Sequence, residues 1–259
     1  MKTYLLEILT ALTMTITVSG QVLVDEQFTR SGTGPLNGSS PSGGTLAENI
    51  TWRFTTSAGA EQSWEIADAE AGTLTITGTG GGTPYIAWRP VTFSAGGQYE
   101  LTMQLTVTAG GNDWVGLGLG TYNANDTPNT GWGMSGPWMM VRDNGGYSLF
   151  NLGTADNTTK TGATPKVNVH AANTLRMTLD TTGEDWTVTY YINDLATPLA
   201  NYTLTDTQQT YLGPVLLTTY SGASATVDWF KLEQIPEPST WFLLSFGLGT
   251  LILIRRRCR

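Results

Sequence analysis

The 259-residue chain has one cysteine, Cys258, and one histidine, His170. Cys/His zinc sites, iron–sulfur clusters, disulfide frameworks and cysteine nucleophiles are thereby excluded from its main body. Charge is also sparse, at 13% of residues, with Lys+Arg 13 against Asp+Glu 21 and a net charge of −8. A nucleic-acid binder needs a basic stripe to neutralise phosphates, and none is present. A Ser-His-Asp site would have to be built on His170, and no Gly-x-Ser-x-Gly elbow accompanies it. Gly80, Gly81 and Gly82 run into Thr83-Pro84 with no lysine, so they cradle no phosphate. Residues 21–235 carry almost no helical periodicity.

What is abundant is glycine (31) and threonine (44), a composition of turns and strands. In residues 98–107 the odd positions Tyr99, Leu101, Met103, Leu105 and Val107 are apolar, which predicts a strand with one buried and one wet face. Leu175, Met177 and Leu179 repeat the pattern, as do Trp186, Val188, Tyr190 and Ile192. Further strands are expected at 22–28, 51–56, 73–78, 85–93, 113–119, 138–142, 147–152, 166–170, 214–220 and 225–232, with Gly/Asn/Asp turns between them. That spacing, with no dividing linker, predicts an all-β chain built on a single jelly-roll β-sandwich over 21–235.

The two ends read as addresses. Lys2, an apolar run and Val18-Ser19-Gly20 form a signal peptide over 1–20, with cleavage expected before Gln21. At the other end, Pro236-Glu237-Pro238 precedes an apolar helix over 239–254 and then Arg255, Arg256, Arg257 and Arg259. The helix is short for a span, and snorkelling arginines extend it while holding the tail cytoplasmic. Motif, helix and arginines in this order resemble the PEP-CTERM sorting signal of Gram-negative bacteria. The resemblance implies recognition by an exosortase, a membrane protease-transpeptidase, and delivery from an inner-membrane intermediate to the cell surface or an extracellular polysaccharide matrix. Of the 13 bases the ends take five (Lys2 and four arginines), and of the 21 acids they take Glu7 and Glu237. The body keeps 8 bases and 19 acids, a net −11, and no cysteine.

The order of landmarks in the body resembles the concanavalin A-like lectin/glucanase superfamily. Val24-Asp25-Glu26-Gln27-Phe28 looks like its first strand, Trp64 to Asp68 with Gly72 to Ile76 like its second turn and strand, and Asp113 to Gly118 like a core strand. Leu175 to Asp180 with Trp186 to Val188 resemble its late strand pair, and Val227 to Leu232 its closing strand. Glucanases of this superfamily work with two carboxylates arrayed as Glu-x-Asp-x-Glu on one strand face. Here Glu65, Asp68 and Glu70 stand at +3 and +5, so Glu65 faces away unless a bulge intervenes; the plainer reading is a polar turn. No catalytic residue is assigned, and the body is expected to be non-catalytic.

Two binding readings remain. Trp52, Trp88, Trp186 and Trp229 sit at strand positions that core packing explains, and Trp64, Trp114 and Trp138 are grouped with them. Trp132 lies instead in the long Asn/Asp/Gly loop after Tyr122. Flat rings stack on sugar C–H faces and amides or carboxylates bond sugar hydroxyls. Tyr122, Asn125, Asp126, Trp132 and Arg142 are therefore the candidate glycan site, the alternative being that Trp132 covers a sandwich edge. Asp25 and Glu26 on the first strand and Asp228 on the last are candidate ligands of a structural calcium, or else solvated strand-end acids. The expected function is an exported, sorted surface or matrix protein whose sandwich contacts polysaccharide; a glycan-cleaving enzyme and a purely structural matrix protein are the alternatives.

Overall fold

The computed structural model describes residues 20–29, 34–35, 42–45, 53–56, 64–68, 72–77, 84–87, 91, 93–109, 114–121, 136–151, 167–204, 212–218 and 224–236. Among them are fifteen strands and no helix: β1 (Gln21–Glu26), β2 (Gly34–Pro35), β3 (Arg53–Thr56), β4 (Trp64–Asp68), β5 (Thr73–Thr77), β6 (Pro84–Ala87), β7 (Gln98–Ala109), β8 (Trp114–Thr121), β9 (Trp138–Arg142), β10 (Tyr147–Phe150), β11 (Ala172–Asp180), β12 (Thr187–Ile192), β13 (Ala200–Thr203), β14 (Leu212–Thr218) and β15 (Ser224–Ile235). The chain divides into two units, Gln21–Glu237 and Met1–Gly20 with Pro238–Arg259. Apart from Gly20 the second unit lies outside the described residues, and so do the expected signal peptide and sorting helix. Among the described residues no helix is long and apolar enough to cross a membrane.

One sheet has nine strands in the order β13-β12-β11-β7-β15-β5-β4-β2, with β1 also paired to β15; the other has six, β10-β9-β8-β14-β6-β3. All pairings are antiparallel. The period-two pattern of β7 is realised: Tyr99, Leu101, Met103, Leu105 and Val107 are buried. They join Leu175, Met177, Leu179, Val188, Tyr190, Ile192, Val227, Phe230 and Leu232 of the nine-stranded sheet. Val115, Leu117, Leu119, Met139, Val141, Tyr147 and Leu149 of the six-stranded sheet complete the same core, so the two sheets pack face to face. Tyr190, fully buried, donates its hydroxyl to the Phe150 carbonyl at 2.8 Å, a polar tie between the sheets. Burial pushes that phenol well above its usual range.

The strand expected over 166–170 is not one: residues 167–170 form coil and turn, with His170 exposed at φ 58°. The buried Asn173 explains this. Its Oδ1 accepts the Asn168 N–H at 2.7 Å and its Nδ2 donates to the Asn168 carbonyl at 2.8 Å. A side chain thus takes the bonds a strand neighbour would have taken. Trp229 departs from expectation as well. β15 bulges between Val227 and Trp229, so Asp228 is an extra residue and Trp229 falls opposite Gln104 while Phe230 falls opposite Met103. Phe230 takes the core position, and Trp229 is half-buried on the opposite face.

Candidate functional site

The six-stranded sheet buries both of its faces where it is described. β9 reads Trp138-Met-Met-Val-Arg142 and β10 Tyr147-Ser-Leu-Phe150, and Arg142 alone among these nine residues is not fully buried. The odd positions meet the other sheet. The even ones form an outer face whose rows follow from register: Trp114 opposite Arg142; Gly116, Met140 and Ser148; Gly118, Trp138 and Phe150. None of Trp114, Trp138, Met140 and Phe150 belongs to the core between the sheets, yet all are at most 4% exposed.

This face is aromatic on a glycine floor. Trp138 stacks on Phe150 with ring centroids 3.7 Å apart and planes within 2°, and Trp114 leans on it at 5.5 Å. A Cβ on Gly118 would lie 2.5 Å from the Trp138 Cβ and 3.1 Å from the Pro137 carbonyl, so only glycine lets β9 approach this closely. Two donors on the face, the buried Trp138 Nε1 and the buried Arg142 Nε, find no hydrogen-bond acceptor among the described residues. Such atoms are rare in native proteins because each costs its desolvation. Of the candidate glycan residues, Arg142 is therefore placed on this face; Tyr122, Asn125, Asp126 and Trp132 lie outside the described residues. Trp138, read from sequence as core, is buried as expected, on this side of the sheet. The signal was the run of four apolar residues ended by arginine, in which both strand faces must be covered.

The calcium candidates do not converge. Adjacent residues on a strand point to opposite faces. Glu26 pairs with Phe230 and turns inward, fully buried; Asp25 pairs with Lys231 on the other face. The Glu26 Oε1 accepts the Phe28 N–H at 2.7 Å and the Ser42 hydroxyl at 2.6 Å. It fixes Phe28, which is buried at φ 52°. Asp25 instead accepts from the Gln27 Nε2 at 2.6 Å. Asp228 sits at the β15 bulge, where burial raises its carboxyl above the usual range. Among the described residues no group of three His, Cys, Asp or Glu side chains could hold a metal ion.

The outer face of the nine-stranded sheet is polar and its cations are spoken for. Arg176 pairs with Glu100 at 3.5 Å, bonds the Leu195 carbonyl and lies 3.9 Å over the Tyr191 ring. Lys231 pairs with Glu233 at 2.5 Å. Burial raises the Glu100 carboxyl and the nearby Glu233 adds to this, while Arg176 and Lys231 oppose it. The stretch read as a polar turn is in part strand β4, and it bulges between Ile66 and Asp68. The bulge sets Glu65 opposite Thr75 and Asp68 opposite Thr73 in the β5 register; Glu70 lies outside the described residues.

The last strand residue, Ile235, still pairs with Gln98, and Pro236 follows at once. Residues 234–257 match the PEP-CTERM protein-sorting motif. The PEP-CTERM motif thus begins inside β15, and Glu237, Pro238, Arg255, Arg256 and Arg257 continue it beyond the described residues, as does Arg259 past its end. It marks an exosortase-processed extracellular or surface protein. No curated protein matches the chain in sequence. Among solved structures, the endo-1,3-beta-glucanase of Streptomyces sioyaensis is similar at 13% identity and TM-score 0.52, over 85% of this chain and 98% of that one. A protein of unknown function from Shewanella oneidensis is similar at 16% identity and TM-score 0.50, over 88% and 92%. The body shares its two-sheet antiparallel β-sandwich fold with these structures.

Proposed function

We propose that this PEP-CTERM protein is a non-catalytic polysaccharide-binding component of the cell surface or extracellular matrix, with exosortase as its processing partner. Its ligand residues are the candidates Tyr122, Asn125, Asp126, Trp132 and Arg142, of which Arg142 ends β9 partly exposed. The observation that carries the reading is the PEP-CTERM motif at 234–257 on a body that shares its β-sandwich fold with an endo-1,3-beta-glucanase. Sugars offer oxygen acceptors to an arginine and apolar C–H surfaces to aromatic rings. The fold likeness to an endo-1,3-beta-glucanase supports a glycan as ligand class. Tyr122, Asn125, Asp126 and Trp132 of the following loop are assigned to the same ligand by their chemistry.

A glycan-cleaving alternative is favoured by one observation, the β4 bulge. It puts Glu65 and Asp68 two register positions apart along β5, the spacing of residues that share a strand face. One experiment separates the readings. The protein is run through native gels containing β-1,3-glucan or bacterial exopolysaccharide, and reducing ends are assayed in the same samples. Retardation without release is expected, weakened by Arg142→Gln and by Trp132→Ala. Release abolished by Glu65→Gln would establish the enzyme. A calcium arm belongs here too: chelation is expected to leave retardation unchanged, given how Glu26 is used.

A further inference from the structure

We infer that the exosortase takes this chain only when the end of β15 has lifted out of the nine-stranded sheet, so that the folded body restrains its own sorting. This rests on the exosortase processing proposed above and adds a regulation of it. The matched motif starts at Gln234, and Gln234 and Ile235 are the last two residues of β15. No linker separates body from motif. Ile235 pairs with Gln98 of β7, and Pro236 follows at once. Four steps along the chain lead from Ile235 to Ser239, where the sorting helix is expected to start. Fully extended they reach about 14 Å.

This strand end is not at a sheet edge. On one side Glu233, Gln234 and Ile235 stand opposite Glu100, Tyr99 and Gln98 of β7. On the other, Glu233 and Gln234 stand opposite Val22 and Gln21, the first residues of β1. That start of β1 is itself held. The Val22 carbonyl accepts the Thr45 N–H at 3.0 Å, and the Gln21 Nε2 donates to the Thr45 Oγ1 at 3.4 Å. Gln234, the first motif residue, thus has a strand neighbour on both sides. An enzyme that binds an extended peptide uses the same main-chain groups. Each of those groups serves the sheet or the enzyme, not both. Release is nevertheless within reach of local opening. Glu233, Gln234 and Ile235 are all half-buried, and Leu232 is the first core residue met from this end. Peeling back these three residues breaks ladder pairs and leaves the core packed, the kind of opening that costs far less than unfolding. Processing then follows the small open population.

The test follows the full chain from precursor to processed form by pulse–chase, in a Gram-negative host with and without an exosortase. One variant carries Gly-Ser-Gly-Ser-Gln-Ile inserted after Ile235, which keeps the strand and repeats the first two motif residues ahead of Pro236. It is expected to be processed about tenfold faster than the native chain, with an unchanged thermal midpoint. A second variant locks the strand end. Gln21→Cys with Gln234→Cys, in a Cys258→Ser background, joins two Cα partners at antiparallel spacing, within disulfide reach. In isolated membranes its oxidised form is expected to stay unprocessed and its reduced form to be processed, so reduction controls for the loss of Gln234. An insertion variant no faster than the native chain, or an oxidised form processed as fast as the reduced one, overturns the inference and leaves exosortase sorting standing. Processing of no form in the exosortase-bearing host overturns the sorting reading itself.

Discussion

Two arginines on two sheets show how differently one residue type is used. Arg176, on the outer face of the nine-stranded sheet, is held by Glu100, the Leu195 carbonyl and Tyr191. Its Nε is also unsatisfied, but the rest of the guanidinium is engaged. Arg142, on the outer face of the six-stranded sheet, stands opposite Trp114 with its Nε buried and without an acceptor among the described residues. The first face is polar, threonine-rich and internally neutralised. The second is aromatic and close-packed, with donors left over. A face that has satisfied its own charges is finished as a structure. One that has not carries the desolvation cost of its buried donors within the fold.

The contrast breaks first at its floor. Gly118→Ala puts a methyl against the Trp138 Cβ and the Pro137 carbonyl, backbone-anchored atoms that cannot step aside. Destabilisation of about 3 kcal/mol is expected in urea unfolding, the upper range for overpacking. At Gly183 the nearest atom to a new Cβ is the Asp185 carbonyl at 3.4 Å, so Gly183→Ala is expected to be nearly neutral. If the two variants unfold alike, β9 does not depend on the glycine floor.

A second pair of variants sharpens the comparison. Arg176→Gln is expected to cost about 1–2 kcal/mol at pH 7, because it strips the cation from a partly desolvated carboxylate. Arg142→Gln is expected to stay within about 0.5 kcal/mol, since no side-chain partner among the described residues is lost. The Arg176 effect depends on pH with a definite sign. The folded Glu100 carboxyl titrates above its unfolded value, so its charge opposes folding once pH has risen through that range. Removing Arg176 raises it further. The loss should be full at pH 7 and shrink as the carboxyl protonates towards pH 3. A pH-independent loss would mean that Arg176 acts through packing on Tyr191 alone.

Much of this was written in the residue order. The odd-position apolars of β7 predict its buried face, and the three parts of the tail predict the sorting motif found at 234–257. The opposition of Asp25 and Glu26 was legible too, since strand neighbours cannot aim at one ion. What the order hid were interruptions of period two. In Val227-Asp228-Trp229-Phe230 the adjacent aromatics cannot both face the core, but nothing local decides which one does. The bulge decides, and it arises from pairing with β7, a strand more than a hundred residues away in sequence. Which side of the sheet buries Trp138 was hidden for another reason. A strand covered on both faces has no alternation to read, so its outer row of Trp138, Met140 and Arg142 emerges only from the registers of β8 and β10.

That bulge supplies the smallest and most local test. Burial is the cause that raises the Asp228 carboxyl. A carboxyl whose folded value lies above its unfolded value opposes folding at high pH and is silent below both. Asp228→Asn keeps the shape and removes the charge. It is expected to raise the thermal midpoint slightly at pH 7 and to leave it unchanged near pH 3, where the native side chain is already protonated. A drop at pH 7 would mean that the charge itself is bonded at the bulge. The outward turn of Trp229 would then depend on that carboxylate, and the polar face of the nine-stranded sheet would carry a functional group of its own.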